Sequence, residues 1–268
     1  MIPAAFEYSR ARSVNEALAH LRAAGPDAKV IAGGQSLIPL LRLRLSQPTH
    51  LVDVNQVAEL DYVHPEGDFL RVGALTRHST LARSELVRRH LPLLAEMASQ
   101  VGDPQIRARG TLGGVFAHAD AAGDYPTLAV MLDATVVTDR RRVAARDFFQ
   151  HLFTTVLAED ELVCEVVFPM ATGPHRYLKF RRRLYDWAIV GAAVQKLDSG
   201  WRVGLTHMGP SPVRAAAVEA RLQAGASLPE AAAVAADGLE PPSDVRASAD
   251  YRRHLARVMT RRALEQAA

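Results

Sequence analysis

The stretch Lys29-Val30-Ile31-Ala32-Gly33-Gly34-Gln35-Ser36-Leu37 decides how the chain folds and what it holds. Its first half is short and β-branched, which predicts a strand. The strand runs into two glycines with nothing to pack, and Ser36 then opens a segment of helical spacing. Paired glycines remove the Cβ barrier to positive φ and let main-chain N–H groups face outward. The unpaired N–H groups of a helix start add to them, giving an anion site that needs no cationic side chain. A tight turn has the same composition.

A second stretch of this kind is Gly110-Thr111-Leu112-Gly113-Gly114. Neither fits the dinucleotide fingerprint G-x-G-x-x-G or the phosphate loop G-x-x-x-x-G-K-[ST]. Two such loops together could hold a long dinucleotide such as FAD between them.

Working outward, Ser13 with Glu16 predicts a capped helix over residues 13–21, ended by Gly25-Pro26. Strands are expected at 29–32 and 50–54. The helix after Ser36 puts Leu37, Leu40, Leu41 and Leu45 on one face, with Pro39 in its first turn. Residues 69–74 read as strand, 76–84 as a helix with Arg77 and His78 in its first turn, and 91–101 as a helix entered through Pro92. Residues 102–126 are the most turn-rich part of the chain. Pro126 then opens a helix to Leu132, and strands follow at 134–138 and 162–168. Met170 to Pro174 has linker composition. Strands at 176–183, 188–197 and 201–208, the last two joined through Asp198-Ser199-Gly200, precede helices at 214–224, 229–237 and 248–267. The boundary falls near residue 172. It divides an α+β body, with subdomains of about 1–56 and 57–172, from a C-terminal domain over 173–268.

With 268 residues, 49% of them hydrophobic and 23% charged, the composition is that of a globular protein with a substantial core. The net charge of +3 is too small to argue for nucleic acid, and runs such as Arg140-Arg141-Arg142 and Arg181-Arg182-Arg183 read as solvated surface or subunit contact. The one cysteine, Cys164, rules out an intramolecular disulfide and any all-cysteine cluster built by this chain alone. It reads as a small buried hydrophobe in a strand. No secretory signal is visible, and no apolar run approaches the roughly 20 residues of a membrane helix. A cytoplasmic location is the default expectation. His118 and Asp120 form an H-x-D pair without further ligands, so no metal site and no catalytic residue is expected.

Ala32-Gly33-Gly34-Gln35-Ser36-Leu37 resembles the A-G-G-x-S-L segment of the FAD-binding medium subunits of molybdenum hydroxylases. Gln105-Ile106-Arg107-Ala108-Arg109-Gly110-Thr111-Leu112-Gly113-Gly114 is similar to their Q-I-R-N-x-G-T-[IL]-G-G segment. The likeness continues through Ala117-His118-Ala119-Asp120, Gly123-Asp124-Tyr125-Pro126, Tyr177 to Arg183 and Gly209-Pro210-Ser211-Pro212-Val213-Arg214. It covers essentially the whole chain.

The resemblance implies a vanillyl-alcohol-oxidase-type FAD-binding domain of two α+β subdomains, followed by a domain of a three-stranded antiparallel sheet with helices. It implies FAD contacts from Val30, Ile31, Ala32, Gly33, Gly34, Gln35, Ser36 and Leu37 in the first loop and from Thr111, Gly113 and Gly114 in the second. Asp124 is implied as an anchor for a polar part of the cofactor and Lys179 as a residue at the flavin end, and the main chain near Val101 and Leu162 or Val163 is also similar to cofactor-contacting segments. From sequence alone Asp124 reads equally as a helix N-cap, Lys179 as a surface cation, and Tyr185 and Trp187 as a cover for the flavin ring or as core. Val115 stands where the family usually has Asn, and valine can neither donate nor accept. Ala108 likewise stands where Asn is common.

The implied function is electron transfer. A large molybdenum subunit with a molybdopterin cofactor and a small subunit with two [2Fe–2S] clusters would complete a dimer of heterotrimers, and electrons would reach FAD here and leave to an external acceptor. A flavin-free scaffold of the same fold and a stand-alone flavin oxidase are the other two readings.

Overall fold

The computed structural model describes residues 2–268. The chain opens with β1 (Glu7–Arg10), α1 (Val14–Ala24), β2 (Ala28–Ile31), α2 (Leu37–Arg42) and β3 (His50–Asp53). The three strands make a parallel sheet in the order β1-β3-β2. Ala17, Leu18 and Leu21 of α1 are buried with Val52 and Val54. Ser13 caps α1 by accepting from Glu16 N–H at 3.1 Å. The capping box is not closed as expected, because Glu16 reaches back to the Arg12 amide at 2.7 Å instead of that of Ser13. Leu45 also departs from expectation. The helix stops at Arg42, so Leu45 falls outside it and is 72% exposed.

The middle of the chain runs β4 (Val63–Glu66), β5 (Phe69–Gly73), α3 (His78–Arg83), α4 (Glu85–His90), α5 (Pro92–Ser99), α6 (Pro104–Arg109), α7 (Leu112–His118) and α8 (Asp124–Met131). It continues through β6 (Thr135–Thr138), β7 (Arg142–Ala144), α9 (Ala145–Phe148), β8 (Phe149–His151) and β9 (Thr154–Thr155) to β10 (Val163–Pro169). Five of these strands form an antiparallel sheet, β4-β5-β10-β6-β7, and β8 pairs with β9. The turn-rich stretch is largely helical. Asp103 caps α6 onto Ile106 N–H at 2.8 Å, with Pro104 in the first turn, and Thr111 caps α7 onto Gly114 N–H at 3.2 Å. Helix α8 begins two residues before Pro126, with Gly123 at its N-cap, so Asp124 is inside the helix and its carboxylate is free for another partner.

The last part holds β11 (His175–Phe180), β12 (Val190–Leu197), β13 (Gly200–Thr206), β14 (Val213–Arg214), α10 (Ala216–Gln223), α11 (Leu228–Ala233) and α12 (Ala249–Ala267). The antiparallel sheet is β11-β12-β13-β14, so the two-residue β14 adds a fourth strand to the three expected. β11 ends at Phe180 and β12 starts at Val190, leaving residues 181–189 as a loop where the sequence predicts strand at 181–183 and 188–189.

Three apolar clusters form the core, one under each of the three larger sheets. The largest unites α5, α7 and α8 with the five-stranded sheet, and it also takes in Tyr177 and Ala193 from the C-terminal sheet. Gly204 of β13 lies against Thr127 and Met131, where an added Cβ would stand 2.8 Å from the Thr127 methyl. Beside it the Thr127 and Thr206 hydroxyls are hydrogen-bonded at 2.9 Å in the buried seam. Cys164 is half-buried in β10, and burial pushes its thiol up to about 12, which leaves it protonated.

Candidate functional site

The two glycine loops meet backbone to backbone. A Cβ on Gly33 would stand 2.5 Å from the Arg109 carbonyl oxygen and 2.8 Å from Gly110 Cα, so only glycine fits there. Gly34 adopts φ +73°, the left-handed region that favours glycine. The turn leaves a run of main-chain amides unpaired. Among the described residues no acceptor takes the N–H groups of Gly33, Gly34, Gln35, Ser36 or Leu37, and the first amide to donate is that of Ile38, to Gly34 O at 3.0 Å. Ser36 stands at the start of α2 without a side-chain capping bond. Gln35 folds back, donating from Nε2 to Gly33 O at 3.2 Å.

The second loop is built differently from expectation. Gly113 and Gly114 do not adopt positive φ, and their amides are engaged, Gly113 N–H with Ala74 O at 2.8 Å and Gly114 N–H with the Thr111 hydroxyl. Gly113 is glycine because a Cβ would stand 2.5 Å from that of Ala74. Gly114 lies on the exposed face of α7 and leaves that helix start open. The open amides therefore belong to the first loop, and the second supplies a close-fitting wall. Val115 turns towards the main core, half-buried against it.

A side-chain latch that sequence reasoning missed ties the loops together. Asn55 donates from Nδ2 to Ala32 O and to Asp53 Oδ1, each at 2.7 Å. Its Oδ1 accepts from Arg77 Nη2 at 2.7 Å, and Arg77 Nη1 donates to Arg109 O. Arg77 is the N-cap residue of α3 rather than part of its first turn, which frees its side chain to cross between the loops. Only the bare residue types were visible in the sequence, since the latch spans 22 and 32 positions. Replacing Arg77 with methionine leaves the Asn55 and Arg109 oxygens without a charged donor. The expected cost is about 1.5–3 kcal/mol, checked as a lower urea midpoint, and an unchanged midpoint refutes the latch.

His78 packs behind the second loop, edge-on to Tyr125 with ring centroids 5.3 Å apart. Burial, aided by Arg77 and Arg107, pushes the imidazole down to about 4. An unfolded histidine takes its proton near 6.5, so between pH 6.5 and 4 the unfolded chain binds a proton that the folded one refuses. Stability should fall through this window, by on the order of 3 kcal/mol at its lower end. Urea titrations at pH 7 and pH 4.5 should show a smaller difference for His78→Gln, and an equal difference would remove His78 as the cause.

Asp124 and Lys179 come together across 55 positions. Lys179 Nζ donates to Asp124 Oδ2 at 2.8 Å and to Gln100 O at 3.3 Å, while Tyr177 donates its hydroxyl to Asp124 Oδ1. The two charged side chains are 2% and 4% exposed, so neither the surface-cation nor the helix-cap alternative describes them. Burial, and next to it the Asp124 charge, holds the Tyr177 phenol well above its usual range, keeping it a donor. Val101 adjoins Gln100, and its carbonyl accepts from Arg107 at 3.0 Å. Leu162 lies beneath the first loop in the cluster that contacts Val30 and Ala32, its amide and carbonyl both bonded to Asp139. Val163 packs in the main core. Tyr185 and Trp187 are exposed on the 181–189 loop, so neither is core. Among the described residues no group of histidine, cysteine or acidic side chains could hold a metal ion.

The site brings together an open amide turn, a glycine-only contact between two loops and a buried acid–lysine pair. Residues 4–171 match the model of the FAD binding domain in molybdopterin dehydrogenase, and residues 175–267 that of the CO dehydrogenase flavoprotein C-terminal domain. The chain belongs to this family of FAD subunits, whose members are parts of oxidoreductases. It is 40% identical to the carbon monoxide dehydrogenase medium chain of Hydrogenophaga pseudoflava, across 100% of this chain and 98% of that one. A solved structure of the Hydrogenophaga pseudoflava enzyme, lacking the Mo-pyranopterin moiety, superposes with a TM-score of 0.95 at 41% identity, covering 100% and 98% of the two chains. Subunit alpha of the 6-hydroxypseudooxynicotine dehydrogenase complex of Paenarthrobacter nicotinovorans is 38% identical over 100% of this chain and 96% of its own.

Proposed function

We propose that this protein is the FAD-carrying electron-transfer subunit of a molybdenum hydroxylase, receiving electrons from iron–sulfur clusters of a partner subunit and passing them to an external acceptor. The observation that carries the reading is the run of five main-chain amides, Gly33 to Leu37, without partners in the chain. Such a run suits a diphosphate, because it supplies several N–H donors and the positive end of a helix without a counter-charge to displace.

In this reading the first loop, with the Ser36 hydroxyl, holds the diphosphate, and Gly114 and Thr111 border it. Val30, Ile31, Ala32 and Leu162 support the loop from beneath. Asp124 keeps Lys179 in place, and Lys179 retains one N–H beyond those given to Asp124 and Gln100 for the flavin end near Val101 and Val163. Bound FAD would supply the coupling of one- and two-electron steps. Residues 1–172 then form the cradle and residues 173–268 the domain that brings Lys179 to it. The partners are a large molybdenum subunit with molybdopterin and a small [2Fe–2S] subunit, in a dimer of heterotrimers in the cytoplasm. Among the described residues no helix is long and apolar enough to cross a membrane.

The relatives named above carry different substrates in their names, carbon monoxide dehydrogenase against 6-hydroxypseudooxynicotine dehydrogenase. In this reading substrate choice belongs to the molybdenum subunit. The test is purification of the complex followed by a visible spectrum and acid release of the cofactor. One FAD per copy of this chain, reduced by the substrate that reduces the clusters, is expected. A colourless chain would return the scaffold reading.

A further inference from the structure

The loop joining β11 to β12 carries a second cluster of binding groups that shares no residue with the glycine cradle. Ile189 N–H returns to Phe180 O at 2.8 Å, closing the loop one residue beyond Lys179. A cavity of about 260 Å³ is walled by Arg182, Arg183, Asp186, Trp187, Ile189 and Arg246. None of the three guanidinium groups meets a carboxylate or carbonyl oxygen within bonding distance among the described residues, and Trp187 is 44% exposed.

The cavity is built from inside. Arg252 of α12 is fully buried, with Nη1 donating to Ile189 O and Nη2 to Asp244 Oδ2 at 2.8 Å. Asp244 Oδ1 in turn accepts from the amides of Arg246 and Ala247, at 2.8 and 3.0 Å. One interior guanidinium thus fixes both walls, Ile189 on one side and Arg246 on the other. Burying a guanidinium costs several kcal/mol unless it is paired and bonded. Arginines that merely solvate a surface need no such support.

We infer that this cavity binds a nucleoside phosphate. Guanidinium forks match phosphate oxygens, and an indole face offers a stacking surface for a base. The Asp186 carboxylate would repel a bare polyphosphate and accept from a ribose hydroxyl or an exocyclic amine. The volume lies just below that of drug-sized sites, which suits a mononucleotide unit. The inference does not depend on the cradle's holding FAD.

The test is calorimetric titration of the full chain, saturated with FAD so that the cradle is filled, using AMP and inorganic pyrophosphate as probes. AMP should bind one to one and more tightly than pyrophosphate. Arg183→Ala and Arg246→Ala should each weaken AMP roughly tenfold, with flavin bands unchanged, and Trp187→Ala should weaken AMP but not pyrophosphate. No saturable binding of AMP, or equal affinity in the Arg182→Ala/Arg183→Ala/Arg246→Ala variant, overturns the inference. So does a variant set that keeps AMP and loses co-purifying subunits, since the surface would then face a protein. Failure to take up FAD at all would count against the proposed function and leave this site untouched.

Discussion

Gly33→Ala is expected to empty the cradle of flavin. The added Cβ would stand 2.5 Å from Arg109 O and 2.8 Å from Gly110 Cα, and both are backbone atoms that cannot rotate aside. Relief requires the loops to separate, which pulls Ala32 O from Asn55 and moves the open amides. Overpacking of this kind costs about 1–3 kcal/mol, and the geometry lost is that of the binding amides themselves. The complex should purify with most of its flavin missing. Gly34→Ala is the graded control, because its Cβ would meet the flexible Ile38 side chain at 2.7 Å. It strains one φ angle without pushing the loops apart, so it should retain more flavin than Gly33→Ala. Full flavin occupancy in Gly33→Ala would show that the contact between the loops does not shape the cradle.

The second large effect is expected at the pair formed by Asp124 and Lys179. Removing one partner of a buried ion pair leaves the other charge in a medium that cannot solvate it, at a cost of about 3–5 kcal/mol. Lys179→Met strands the Asp124 carboxylate with only the Tyr177 phenol, and Asp124→Ala strands the ammonium with only Gln100 O at 3.3 Å. Either should lower the melting temperature markedly and reduce flavin retention. The double variant Asp124→Ala/Lys179→Met removes both charges, so its loss of stability should be well below the sum of the single losses. Additive losses would mean that the two residues act separately and that the pair has no structural weight.

Much of the fold is legible in the chain's local chemistry. Helix α1 announces itself through Ser13 and Glu16, α12 through Ser248 and a long helical period, and the first glycine turn through a β-branched strand that ends in a helix start. The stretch from Gly102 to Pro126 misleads because glycine and proline density outweighs its capping signals. Asp103-Pro104 and Thr111 mark two helix starts, and each helix is only six or seven residues long. Side-chain partnership across distance is the part that local pattern does not carry. Nothing near Arg77 names Asn55 or Arg109 as its partners, and nothing near Lys179 names Asp124. The resemblance to a family could place Asp124 and Lys179 at a cofactor, but their bond to each other required α8 to pack on the C-terminal sheet, through β13.

The two family models meet in the linker between residues 171 and 175, yet the core does not divide there. Tyr177 and Ala193 belong to the body's own apolar cluster, and β13 lies flush on α8 through Gly204. A chain with such a shared interior should melt as one cooperative unit rather than in two stages, which calorimetry would check. Cutting the gene at the linker would give two fragments, each with an oily face and no partner to cover it.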